Sequence, residues 1–148
     1  MKNLVGEAAT LEFAAKLAEL CQPPLIIHLQ GDLGSGKTTF ARGFINKLGH
    51  SGNVKSPTFT LVETYDLVLA HLYHFDLYRL KDPLELEYIG IRELVGELDV
   101  ICLIEWPERG GSSLPIADIV ISLEYQGEAR VVDCQANSTK GQIIIDEL

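Results

Sequence analysis

Gly31-Asp32-Leu33-Gly34-Ser35-Gly36-Lys37-Thr38 fits the phosphate-loop pattern G-x-x-x-x-G-K-[ST] at every specified position. Glycines at the bends let a backbone wrap a phosphate with its N–H groups turned inward, since a Cβ there blocks both positive φ values and close approach. Lys37 brings a mobile point charge for β- and γ-phosphates, and the Thr38 hydroxyl is a hard oxygen donor suited to Mg²⁺. The flanks agree. Leu25-Ile26-Ile27-His28-Leu29-Gln30, bounded by Pro23-Pro24, predicts a buried strand. Phe40, Ala41, Phe44, Ile45 and Leu48 recur at helical spacing and predict a helix over 39–48, stopped at Gly49. An anion on this loop meets free N–H groups at a helix N-terminus, where the helix dipole adds to the attraction.

The chain has 148 residues, which predicts one domain over 1–148 with no room for a large second substrate domain. Apolar residues make up 47% and charged residues 22%, ordinary values for a water-exposed globular fold. No apolar run nears the about 20 residues of a membrane helix, and the N-terminus does not read as a secretory signal, so no membrane partner and a cytoplasmic location are expected. A net charge of −9 argues against direct grip on DNA or other nucleic acid, which rests on clustered Lys and Arg. The acidic excess reads as a solvated surface, or as a face that steers docking onto a basic protein partner. Cys21, Cys102 and Cys134 are widely spaced and odd in number, so buried free thiols are expected rather than disulfides or a zinc site. His71 and His74, on an alternating strand, point to opposite faces, which argues against a shared metal.

Outside the loop, Ala8 to Leu20 alternates apolar and charged residues at helical spacing, with a start near Glu7 or Thr10. Asn53 to Pro57 has loop chemistry. Thr58 to Tyr65 and Val68 to Tyr73 predict two strands of a hairpin through Asp66-Leu67. Asp82-Pro83 opens a helix that stops at Gly90, and Ile91 to Leu98 reads as a second short helix. Val100 to Ile104 is a continuous apolar run, hence a buried strand. Ala117 to Tyr125, Ala129 to Gln135 and Gln142 to Ile145 read as further strands. The expected architecture is α/β: a phosphate-loop NTPase-like three-layer fold whose mixed central sheet has a parallel core and added antiparallel strands.

A Mg²⁺–nucleotide site needs a second acid at the end of a strand beside the loop. Glu105, closing the run Val100 to Ile104, fits that position, either as a metal-serving carboxylate or as an ordinary strand-ending acid. Asp76 is the next candidate, against capping or a structural pair with Arg79. Thr58 and Thr60 read equally well as a γ-phosphate-sensing switch segment and as core-facing strand threonines. Trp106 packs over the site or fills the core; both readings are open.

The blocks Gly31 to Phe40, Ser56-Pro57-Thr58-Phe59-Thr60-Leu61-Val62, His74-Phe75-Asp76-Leu77-Tyr78-Arg79-Leu80 and Ile104-Glu105-Trp106-Pro107 occur in one order and spacing. Together they resemble the bacterial TsaE (YjeE) family of small ATPases. The resemblance implies ATP hydrolysis to ADP and phosphate in support of threonylcarbamoyl-adenosine synthesis on tRNAs that read codons starting with A. It implies partnership with the TsaD and TsaB subunits, which transfer the group, and contact with tRNA only through that complex. It also implies that Leu33, Gly34, Ser35, Gly36, Lys37, Thr38 and Thr39 hold ATP, that Thr38 and Glu105 serve Mg²⁺, and that Lys37, Asp76 and Glu105 carry hydrolysis. Thr10 and Arg130 match further family positions near the nucleotide. Ser35 stands where Ala is usual, and the short segment before Thr10 implies a reduced first strand.

Two rival functions share the phosphate loop. A small-molecule kinase needs an arginine-bearing lid, and the chain has only single arginines and no Arg-rich insertion. A nucleotide-dependent switch would dock on a partner with hydrolysis as timer. Phosphate released to water separates the kinase from the other two, and stimulation of a partner's turnover separates those two from each other.

Overall fold

The computed structural model describes residues 1–148. Its elements are β1 (Lys2–Val5), α1 (Gly6–Leu20), β2 (Leu25–Gln30), α2 (Lys37–Lys47), β3 (Val62–Asp66), β4 (His71–Asp76), α3 (Leu84–Tyr88), α4 (Ile91–Val95), β5 (Val100–Glu105), β6 (Ile119–Gln126), β7 (Ala129–Ala136) and α5 (Thr139–Glu147). Seven strands form one sheet in the order β1-β7-β6-β2-β5-β4-β3. The pairs β6/β2, β2/β5 and β5/β4 are parallel, whereas β1, β7 and β3 are added antiparallel. This is the mixed sheet with a parallel core that the sequence predicts.

Alternation along the central strands sorts side chains between two cores. Ile101 and Leu103 of β5 join Leu25, Ile27 and Leu29 of β2 beneath α1, α2 and Ile144 of α5. Val100, Cys102 and Ile104 point the other way, onto Leu86 of α3 and Ile91 of α4. Every residue of β5 is therefore buried, as expected of a parallel strand covered on both faces. Three layers result. Within the helical layer α1 crosses α2 closely at Gly43, where a Cβ would stand 2.8 Å from the Leu11 carbonyl oxygen and 3.2 Å from the Ala14 Cβ.

Several expected elements shift. Gln142 to Ile145 is not a strand but part of α5, whose start is capped by the Ser138 hydroxyl accepting from the Gly141 N–H at 3.0 Å. The β-branched run Ile143-Ile144-Ile145 misled, since at helical spacing Ile144 is buried and Ile145 packs partly against the core while Ile143 is 56% exposed. The hairpin exists, but its second strand begins at His71, because Val68 and Leu69 form an exposed turn closed by the Leu67 N–H on the Ala70 carbonyl at 3.0 Å. Thr58 to Thr60 lie before β3, in a turn where the Leu61 N–H donates to the Pro57 carbonyl at 2.8 Å. The first strand is present, pairing Lys2 to Val5 with Val132 to Ala129. That pairing brings the chain ends together: the Lys2 ammonium donates to the Leu148 carbonyl at 2.9 Å. Cys21 and Cys102 are buried free thiols, with burial pushing Cys21 up to about 12; Cys134, expected buried, is only partly so because it lies on the antiparallel extension.

Candidate functional site

Parallel β4, β5 and β2 end side by side, so Asp76, Glu105 and the loop after Gln30 converge at one sheet edge. Open α/β sheets bind ligands at this edge. Asp76 and Glu105 are direct register partners. They share a cavity of about 430 Å³ with Leu33, Gly34, Gly36, Lys37, Thr38 and Thr39 of the loop and helix start. Arg130 of β7 and Ser56, Thr58, Tyr78, Arg79 and Trp106 complete the wall.

The loop is preset. Gly36 holds φ at 105°, in the left-handed region that favours glycine, and a Cβ there would meet Arg130 Nε at 2.7 Å. Arg130 Nε donates to the Ser35 carbonyl at 2.9 Å while its guanidinium lies 4.9 Å from the Tyr125 ring centre, fastening the loop to the β6–β7 pair. Lys37 Nζ donates to the carbonyls of Gly31 (2.5 Å) and Asp32 (2.9 Å) and sits 4.4 Å from the Trp106 ring centre. Burial lowers the Lys37 pKa from its ordinary value, opposed by the charges of Glu105, Asp76, Glu108 and Asp32.

Trp106 has φ 56°, a conformation that costs a residue with a Cβ about 1–2 kcal/mol. The sharp turn lets the chain leave β5 directly after Glu105 and lays the indole over Lys37. Tyr78 packs on Trp106 with ring centres 4.9 Å apart. Trp106 therefore covers the site and, partly buried, also packs against the core of Leu86 and Ile91.

Asp76 accepts from the Tyr78 N–H (2.9 Å) through Oδ1 and from the Thr58 hydroxyl (3.0 Å) through Oδ2. The first bond is a local Asx turn. The alternative pair with Arg79 is not made; that guanidinium lies 4.4 Å from the Phe59 ring centre instead. Thr58 thus reaches the site, whereas Thr60 is exposed and bonds Glu63 at 3.0 Å.

Two residues expected near a nucleotide do not line this cavity. Thr10 is 1% exposed on α1, with its hydroxyl unpartnered, and Ser35 is buried within the loop, its hydroxyl 3.5 Å from Lys37 Nζ. One residue was missed. His74, fully buried, donates from Nε2 to Glu105 Oε2 at 2.6 Å. The signal was its i, i+2 relation to Asp76, which puts both on one face of β4. His71 lies elsewhere, between Asp66 (2.5 Å) and Asp99 (3.3 Å).

Thr38, Glu105 and Asp76 place a hydroxyl and two carboxylates around one cavity. That all-oxygen donor set fits Mg²⁺, which binds through one or two carboxylates and completes its shell with phosphates and water.

A strand, a phosphate loop and a helix aimed at two strand-end carboxylates define a phosphate-loop protein of the nucleotide-binding class. Residues 4–132 match the family described as threonylcarbamoyl adenosine biosynthesis protein TsaE, and the chain belongs to that family. It is 47% identical over 144 residues to the tRNA threonylcarbamoyladenosine biosynthesis protein TsaE of Haemophilus influenzae, covering 94% of this chain and 90% of the relative. The protein of the same name from Bacillus subtilis is 34% identical, with 97% and 90% covered. The crystal structure of Bacillus subtilis YdiB superposes with a TM-score of 0.84 at 28% identity, covering 99% of this chain and 90% of that one. No helix is long and apolar enough to cross a membrane.

Proposed function

We propose that the chain binds ATP with Mg²⁺ and hydrolyses it to ADP and phosphate, in service of threonylcarbamoyl-adenosine formation on tRNA. The observation that carries this reading is the convergence of the loop, Lys37, Thr38, Asp76 and Glu105 on one cavity. Loop N–H groups and Lys37 hold the phosphates. Thr38 and Glu105 hold Mg²⁺, which when bound neutralises charge developing on the phosphates. Asp76, fixed by Thr58 and Tyr78, faces the same space and supports hydrolysis by orienting water.

The relatives' names supply the pathway. The chain works with the TsaD and TsaB subunits in the cytoplasm, meets tRNA through them and transfers no group itself. Reconstitution of tRNA threonylcarbamoylation with and without this chain, with phosphate release followed in parallel, tests the whole reading. Multiple turnovers that depend on the chain and on ATP are expected. A phosphorylated small molecule in place of free phosphate, or modification indifferent to the chain, would overturn it.

A further inference from the structure

His74 has a fully buried imidazole whose Nε2 lies 2.6 Å from Glu105 Oε2, while its Nδ1 is buried without any partner. A carboxylate can only accept, so Nε2 must carry the proton. Leaving a buried Nδ1 unpaired costs free energy that packing alone gives no reason to accept. A leucine there would extend the core of Leu72 and Leu103 on the same face. The imidazole is kept for what Nε2 does.

We propose that His74 is a positioning residue that fixes the Glu105 carboxylate toward the loop. The inference rests on the Mg²⁺–nucleotide reading above. Glu105 is 2% exposed and is flanked across β4 by Asp76 and His74. Its side chain has three rotatable bonds, and no other side chain hydrogen-bonds it. Held at Oε2, the group presents Oε1 to the cavity in one rotamer; released, it can swing toward the Lys37 ammonium. Outer partners of this kind typically change metal affinity or activity by about 10–100-fold.

Trp106 is the only tryptophan and lies over Lys37, so its fluorescence reads the site directly. Mg²⁺ is titrated into each protein in the presence of ADP. His74→Gln keeps an amide N–H near the Nε2 position, whereas His74→Asn places its amide near Nδ1, out of reach of Glu105. The Asn variant should raise the Mg²⁺ midpoint about 10–100-fold with ADP affinity in chelator unchanged, and the Gln variant should restore most of the loss. In a Glu105→Ala background the same Asn change should shift nothing further. If Gln and Asn behave alike, or the shift survives in Glu105→Ala, the positioning role is overturned. A Mg²⁺ requirement absent from the unsubstituted chain would overturn the metal reading instead.

A measurement without substitution guards against variants that do not fold. With ¹⁵N-labelled histidine, the buried ring among the four should show the Nε2–H form, and its Nε2 signal should move when Mg²⁺ joins ADP. An Nδ1–H form, or a signal that stays put, would reject the inference.

Discussion

The Lys37 ammonium donates to the carbonyls of Gly31 and Asp32 and lies against an indole, so on the proposed function a phosphate would meet a charge already desolvated and aimed. A charge-assisted hydrogen bond is worth about 1.5–3 kcal/mol, so Lys37→Ala should weaken Mg²⁺–ATP binding roughly 10- to 100-fold and stop hydrolysis. Neither core cluster uses this side chain, so the fold should persist by circular dichroism. Normal ATP affinity in that variant, by calorimetry, would remove the phosphate-loop reading. Glu105→Ala should behave differently. Loop amides and Lys37 still hold phosphate, so ATP affinity in chelator should change less than tenfold while turnover with Mg²⁺ falls on the order of 100-fold or more. Hydrolysis unchanged in Glu105→Ala would sink its assignment. That Lys37, Thr38, Asp76 and Glu105 would meet at one cavity was readable because each stands in a pattern with its own chemistry: a glycine loop, or an acid closing an apolar run. His74 was not, since its partner lies 31 residues away and only pairing β4 with β5 brings them together.

Among the elements, α1 and α2 depend on closeness that only glycine at position 43 permits. A larger residue there meets the Leu11 carbonyl, which cannot move without parting the helices. Gly43→Val should therefore cost about 1–3 kcal/mol by overpacking. At about 2–4 °C per kcal/mol for a chain of this size, calorimetry should find a melting point several degrees lower. A melting point that holds or rises would show that the helices can separate freely. Elements with strong periodicity, α1, α2 and the strand β5, were legible because the pattern that predicts them also buries them. α5 was not, because three consecutive isoleucines carry strand propensity while a single serine cap and one buried Ile144 decide the outcome.

At the scale of the whole molecule, strand order was the least legible property, because it is set by pairings between distant segments. The mixed character of the sheet could be read from continuous versus alternating runs; the neighbours of β2 could not. Charge is also distributed at this scale. Asp82, Glu85, Glu87, Glu93, Glu97 and Asp99 are all exposed around α3 and α4, with Lys81 and Arg92 the two bases among them. If this layer steers docking onto TsaD and TsaB, raising salt should slow association while leaving hydrolysis by the isolated chain nearly unchanged. A stopped-flow association rate indifferent to salt would exclude steering. The bond from Lys2 to Leu148 makes the chain suited to circular permutation. A linker of about four residues, at about 3.3–3.6 Å each, can join the two ends. New ends can open between Val68 and Leu69, 95% and 75% exposed in the turn that leads into β4 from the side away from Asp76. The permuted protein should keep the seven-stranded order and the ADP-induced change in Trp106 fluorescence, and losing either would show that the uncut β3–β4 turn is required to assemble the sheet.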